Sequence, residues 1–424
     1  MKKILFILLL AFFAQASYGA YILIPMDTEQ KDHLKAYGIT YWVLDHGGHA
    51  WWLLNYRGGS FAFRHNSVFE KECLTRGVTF SVIPDGKFQS IKAEIANPEV
   101  NESAIRLEAV PKIAVYTPDV SAKGAKIQPW DDAVTLVLTY AEIPYDVIYD
   151  DDVLSGKLAK YDWLHLHHED FTGQYGKFYA SYRSEPWYKE HVRRLEEIAH
   201  RNGFAKVSQL KLAVAKAIKE YVAGGGFMFA MCSATDTYDI ALAADGVDIC
   251  DYMYDGDPPD PNAQSKLNFE NTFAFKDFQL VRNPLEYEYS SIDNTMQRRL
   301  DPKVDYFKLF DFSAKWDPIP SMLTQNHTNT IKGFMGQTTA FKSNQIKSNV
   351  LILGETKSVR EARYIHGTYG QGTWTFYGGH DPEDYRHMVN DPPTDLSLHP
   401  NSPGYRLILN NILFPAAEKK KRKT

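Results

Sequence analysis

The chain has 424 residues, 44% hydrophobic and 23% charged, an ordinary globular composition that excludes wholesale disorder, collagen and a long coiled coil. That length predicts two to three domains with cores large enough to need no disulfide staples. Lysine plus arginine number 47 against 52 acidic residues, a net charge of -5, and no domain-sized stretch is basic. The electrostatic footprint of a nucleic-acid binder is therefore missing, and a small polar molecule is the expected partner, with oligomeric state left open.

In chain order, the first feature is an apolar run, Ile4 to Ala16, preceded by Lys2 and Lys3 and closed by an Ala14-Gln15-Ala16 site. At roughly thirteen residues it is short of the ~20 needed to cross a bilayer, and it fits a cleaved secretory leader over 1–20. A periplasmic or secreted bacterial protein, with no stable membrane insertion after leader removal, is expected. Cys73, Cys232 and Cys250 allow at most one bridge, so at least one thiol is either buried and inert or held for chemistry.

Tyr21–Pro25, Ala50–Leu54 and Val78–Ile83 read as strands, separated by helices over Thr28–Asp45 and Asn66–Thr75. The alternation predicts a small N-terminal α/β unit over 21–110 with parallel strands, in which Pro84–Val110 is a boundary or a cover. Arg57–Ser60 after a strand is too short to be a specific anion-binding fingerprint.

The rhythm restarts with a strand at Ile113–Thr117. A helix from Asp131 to Ala141 follows, with Val134, Val137, Leu138 and Ala141 on one face. Strands are expected at Tyr145–Tyr149 and Trp163–Leu166. Next comes a helix capped by Ser208, with Leu210, Val214, Ala217, Ile218 and Tyr221 as its stripe. It stops at Gly224–Gly226 and turns into a buried central strand, Phe227–Met231. Residues 245–347 break into short polar, aromatic and proline-containing pieces and read as an insertion or lid. Their acidic scatter, Asp245 to Asp260, lacks the spacing of a calcium loop and reads as solvated. Strands return at Val350–Leu353 and Trp374–Tyr377, then a helix over Pro403–Leu413, and a solvated basic tail over 418–424.

In an open parallel sheet, ligands sit outside the carboxyl ends of the strands, so residues just past strands are the candidates. Cys232 follows Phe227–Met231 between Ala230 and Ala234, small enough for a nucleophile on a sharp strand-to-helix turn; the alternative is an inert core thiol. Asp236 caps the next helix, serves as a base, or both. Gly378 and Gly379 bring the backbone close to the crevice, and His380 is the candidate acid or base, its ring held by Asp381 or Glu383. His165, His167, His168 and Glu169 read as polar pocket lining. No cofactor is required; the alternative is a divalent metal at His165 and His167 with a third ligand from Glu169, Asp170 or His380.

The run at 224–237 (GGGFMFAMCSATDT) with that at 372–383 (GTWTFYGGHDPE) resembles the ThuA-like family, named for trehalose utilisation, within the class I glutamine-amidotransferase-like superfamily. The closing helix 404–411 (GYRLILNN) is similar as well. The resemblance covers about 112–417 and implies a flavodoxin-like doubly wound parallel sheet and the handling of sugars or keto-sugars. Family members often carry His where this chain has Cys232, which brings the site nearer to the true amidotransferases. The whole chain, including 34–39 (LKAYGI) and 52–60 (WLLNYRGGS), resembles exported bacterial proteins often labelled asparagine synthetase B. It has neither the Cys directly after the initiator Met nor the ATP-binding loop of such a synthetase. Three functions follow as expectations. The first is an exported hydrolase or lyase acting on a carbohydrate derivative by acid/base catalysis with His380, Asp236 and Glu383. The second is a Cys232/His380/Glu383 amidase, and the third a ligand-binding protein without turnover, in which Gly379, Asp381 and the histidines line the pocket.

Overall fold

In the computed structural model, which describes residues 19–117, 131–295, 301–323, 328–386, 388 and 390–417, the strands form two sheets. The apolar run of the expected leader and the basic tail lie outside the described residues. The first sheet holds β1 (Ala20–Ile24), β2 (Ala50–Leu54), β3 (Ser60–Arg64), β4 (Ser81–Pro84) and β5 (Ser103–Leu107) in the order β4-β1-β3-β2-β5. Every pairing in it is antiparallel, which corrects the expectation of parallel strands. The cause is β3, a strand that the alternation above does not include. Asn55 and Gly59, at φ 65 and 85, reverse the chain within a few residues, and so tight a return joins only antiparallel neighbours.

Helix α1 (His33–Asp45) is capped by Asp32, which accepts from the Lys35 N–H at 2.8 Å, and α2 (Ser67–Thr75) by Asn66. The stretch after Pro84 is no boundary. It forms α3 (Asp85–Ala96), whose Phe88, Ile91 and Ile95 cover Tyr21, Leu23 and Leu53 on the outer face of the sheet, and then the edge strand β5.

The larger sheet contains β6 (Ile113–Tyr116), β7 (Asp146–Ile148), β8 (Trp163–Leu166), β9 (Phe227–Met231), β10 (Tyr306–Leu309), β11 (Thr330–Lys332), β12 (Phe341–Lys342), β13 (Leu351–Thr356), β14 (Glu361–Tyr369) and β15 (Gly372–Tyr377). Its order is β11-β10-β13-β14-β15-β9-β8-β6-β7, with β12 beside β14. From β7 to β15 the neighbours are parallel, and from β15 to β11 antiparallel. The architecture is thus α/β with a mixed large sheet. The insert over 245–347 supplies β10, β11 and β12, and so extends the sheet. It is anchored by Asp239, whose carboxylate accepts the N–H groups of Phe273, Ala274 and Phe275 at 2.7–2.9 Å.

Helices α4 (Ala133–Tyr140), α5 (Pro186–Arg201), α6 (Val207–Ala223), α7 (Ala234–Ala243) and α8 (Pro403–Leu413) complete the layers. α6 starts from Lys206 with no side-chain cap, so Ser208 lies inside the helix instead of capping it. α6 and α7 pack on one face of the large sheet, with α5 outside α6. On the other face, α1, α4 and α8 lie between the two sheets, so that Ile22, Trp52, Leu138, Phe229, Leu407 and Ile412 share one core. Arg406 of α8, fully buried, donates to the carbonyls of Met26 and Gly58 and to the Tyr37 hydroxyl, which fastens the last helix to the first sheet. Among the described residues, no helix is long and apolar enough to cross a membrane.

Candidate functional site

Three chain reversals meet at the carboxyl ends of β8, β9 and β15, each at the end of a short buried strand. At β9, Cys232 adopts φ 53, a left-handed conformation that a non-glycine residue holds only when its surroundings impose it. The surroundings are visible: the Cys232 N–H donates to the Gly379 carbonyl at 3.1 Å and the Ala234 N–H to the His167 carbonyl at 3.1 Å, tying the turn to both neighbours. At β15, Gly379 has φ 103, and a Cβ there would stand 2.3 Å from the Phe334 ring, so glycine is required to deliver His380.

These reversals bring together His167, His168, His380 and Cys232. One ring nitrogen or the sulfur of each lies within 4.8 Å of every other. His167 Nε2 is 3.1 Å from His380 Nδ1, and the His167 and His168 rings stack at 3.8 Å. The start of α4 stands behind them. Asp132 caps α4 by accepting from Thr135 N–H, and its other oxygen, Oδ2, lies 3.0 Å from both His165 Nε2 and His167 Nδ1. His168 Nε2 is 2.6 Å from the Asp131 carbonyl, and His380 Nε2 is 3.6 Å from Asp131 Oδ1.

Burial alone would raise the Asp132 carboxyl, but the two imidazoles beside it hold it well below the usual range. Burial, with His167 and His380 adjacent, keeps His168 neutral by lowering it well below an ordinary histidine; burial also lowers His165. At Cys232, burial, aided by Asp293 and Asp236 and opposed by the N–H groups of Ser233 and Gln337, pushes the thiol up to about 12. It is a neutral thiol at rest.

Asp236 lies within the first turn of α7, fully buried, and accepts from the Thr338 hydroxyl at 2.8 Å. It is no N-cap; Ser233 holds that position, without a side-chain bond. Thr338 also donates its N–H to Asp293 at 3.1 Å, so one residue of the insert bridges two buried carboxyls. Burial, and for Asp236 the charge of Asp293, pushes both above the ordinary carboxylate value.

Other expected site residues lie elsewhere. Glu383 accepts from the Ser402 hydroxyl and stands 3.3 Å from His399 at the start of α8, while Asp381 accepts from the Glu383 N–H. The groups placed against the His380 ring are His167 and Asp131, in place of Glu383. Glu169 faces Lys211, 3.7 Å away in a separate buried network, where burial pushes it up to about 8. Asp170 shapes its own loop by accepting from Thr172 and Gly176 N–H groups. His165 touches Asp132 and the Phe229 carbonyl and stands behind His167. All three cysteines are buried and free. The acidic scatter of the insert is partly gathered: Asp248, Asp255 and Asp257 surround Lys206 at 2.5–2.9 Å. In the sequence Asp131 and Asp132 mark only a helix start, and Asp293 and Thr338 carry no pattern that marks a site.

No protein-family model matches the chain, and no curated protein matches it. Among solved structures it is similar to the cytoplasmic protein STM3548 from Salmonella typhimurium, at 12% identity over 73% of this chain and 100% of that one, with a TM-score of 0.35. A second likeness is to the cytoplasmic protein STM1381 from Salmonella typhimurium LT2, at 13% identity over 66% and 90% and a TM-score of 0.32. A third is to Gan42B, a GH42 beta-galactosidase, at 12% identity over 63% of this chain and 27% of that one, with a TM-score of 0.26. At such scores no function is taken from any of them. What fold and site define is a class: an α/β protein with a buried histidine–cysteine centre at the carboxyl edge of its parallel strands.

Proposed function

We propose that the chain is an exported enzyme that moves protons on a small hydroxylated or carbonyl-bearing molecule, a sugar or keto-sugar derivative, in a hydrolase or lyase reaction. One observation carries this reading. His167 Nδ1 lies 3.0 Å from Asp132 and His168 Nε2 2.6 Å from the Asp131 carbonyl, which leaves the inner nitrogen of each ring to accept a proton beside His380 and Cys232. Supporting it, the parallel strands β6, β7, β8, β9 and β15 take the spatial order second, first, third, fourth, fifth, as in a flavodoxin-like doubly wound sheet. The centre lies outside their carboxyl ends, where such sheets bind ligands. The ThuA-like resemblance supplies the substrate class, and the leader-like run the export.

The test is turnover of a panel of keto-sugars and glycosides by the purified mature protein, followed by His380→Ala and Asp131→Asn. The expected loss in kcat is ~10²-fold or more, the usual worth of a positioned proton-transfer group. Unchanged turnover in both variants sinks the reading.

A second reading, a thiol amidase, is favoured by the left-handed Cys232 and the two backbone N–H groups at its sulfur, which would serve an oxyanion. Against it stand the carboxyls of Asp236 and Asp293, which oppose a thiolate. Alkylation of Cys232 followed against pH decides: rapid reaction at neutral pH that slows in His380→Ala would favour the amidase.

A further inference from the structure

We infer that the centre is a binding site for a divalent transition ion of the zinc type, held by His167 Nε2, His168 Nδ1, His380 Nδ1 and Cys232 Sγ. The inference rests on the substrate class proposed above and revises its chemistry: a nitrogen bound to the ion accepts no proton, so an ion acting as Lewis acid takes the place of a histidine base. A general base needs one inward nitrogen; this centre presents three, with a thiol. One nitrogen of each ring and the sulfur lie within 4.8 Å of one another, and tetrahedral zinc with bonds of 2.0–2.3 Å separates its ligands by about 3.3–3.8 Å, a small adjustment.

The outer contacts fit the same role. Histidine ligands fix their tautomer by giving the other ring N–H to a carboxylate or carbonyl. Here His167 Nδ1 faces Asp132 at 3.0 Å, His168 Nε2 the Asp131 carbonyl at 2.6 Å, and His380 Nε2 the Asp131 carboxylate at 3.6 Å. His167 Nε2 and His380 Nδ1 lie 3.1 Å apart, a contact that one ring's proton bridges when no ion is bound and that a cation would replace, with both nitrogens then as ligands. Three imidazoles and a sulfur select zinc or cobalt over magnesium or calcium, which require oxygen.

A second constellation, Asp132 with His165 and His167, meets the same distance criterion. It is the outer shell of the first. His165 Nδ1 faces the Phe229 carbonyl and both histidines turn toward the one Asp132 oxygen, so His165 supports the site and is not a ligand. Of the four ligands, His168 alone is partly exposed, and it borders a narrow cavity lined also by Glu169, His191 and Lys211. Exchange of a ligand, or entry of a substrate oxygen, takes place from that side. A bound ion would then polarise a substrate hydroxyl or carbonyl, the work of a Lewis acid.

The test uses untagged mature protein, stripped with a chelator and titrated with Co²⁺ alone, then Zn²⁺ in competition. One equivalent of Co²⁺ per chain is expected, with tetrahedral visible bands and a sulfur-to-cobalt band that Cys232→Ser abolishes, and His167→Ala weakens binding at least tenfold. Absence of the sulfur-to-cobalt band in the unaltered protein overturns the inference, whether or not the variants fold. Co²⁺ binding without turnover of any sugar leaves the site standing and removes the proposed function. Full turnover after stripping removes the metal and leaves that function in place.

Discussion

Two buried polar clusters flank the end of β8, and they are built on opposite plans. On the α6 side, Lys211 Nζ lies 2.9 Å from Asp150 and 2.8 Å from the Tyr116 hydroxyl, with Glu169 at 3.7 Å, and Tyr116 donates to Asp150 at 2.6 Å. That cluster carries its own cation and is a closed network. On the α4 side, His167, His168, His380 and Cys232 converge on one another with no cation of their own among them, and Asp131 and Asp132 stand behind the rings. The contrast separates structural burial of charge from a place kept for a guest, and it assigns different costs to disturbing each.

The largest expected effect falls on the closed network. Lys211→Met strands Asp150 and Glu169 without their cation and should cost about 3–5 kcal/mol in urea unfolding. A loss below about 1 kcal/mol would mean that the network is not closed. Acid tests the same side. Burial, aided by Lys211, holds His191 down at about 4, below its unfolded value near 6.5. A depressed folded value contributes stability that is full above about 6.5 and lost as pH falls toward 4, up to about 3 kcal/mol in all. Urea midpoints at pH 7 and 5 should therefore differ more in the unaltered protein than in His191→Gln; equal slopes would remove this role.

On the guest side, His380→Ala should abolish most turnover, as above, while costing about 1–3 kcal/mol of unfolding free energy, less than Lys211→Met, since it leaves His167 and Asp131 without one partner but removes no buried cation. Instability equal to that of Lys211→Met would erase the distinction between the clusters. The smallest effect is expected at Glu383→Gln. Its carboxylate serves Ser402 and His399 at the start of α8, so roughly 1 kcal/mol of stability and little turnover should be lost. A fall in kcat matching that of Asp131→Asn would restore Glu383 as the partner of His380.

Much of the parallel half was legible because its strands are apolar runs ended by glycine or by site residues: β8, β9 and α8 fall where the pattern puts them, and Cys232 and His380 lie just past their strands. The antiparallel half was not. Strand β14 buries Glu361, Arg363 and His366, and such residues read as loop until Arg363 is seen paired with Asp305 at 2.8 Å. Helix α5 hid behind its charges: Glu190, Arg193, Arg194 and Glu197 pair along its exposed face and mask the inward Tyr188, Leu195 and Ile198. At the site, Asp131 and Asp132 act across space on residues 33 to 249 positions away, a relation without local periodicity. Asp293 and Thr338 reach Asp236 from an insert whose short elements have no repeating pattern.

The buried Arg406 has a consequence for biogenesis. The inner face of the first sheet is covered by α1, and α8 closes over α1 through Arg406, so this core stays incomplete until some three hundred residues beyond β5 have emerged, roughly 15–60 s at ordinary synthesis rates. The amino-terminal quarter thus exposes apolar surface while the rest of the chain is made, which suits it to a holding chaperone. Chains truncated before Pro403 should leave it open to protease, and resistance in such chains would show that it can mature alone.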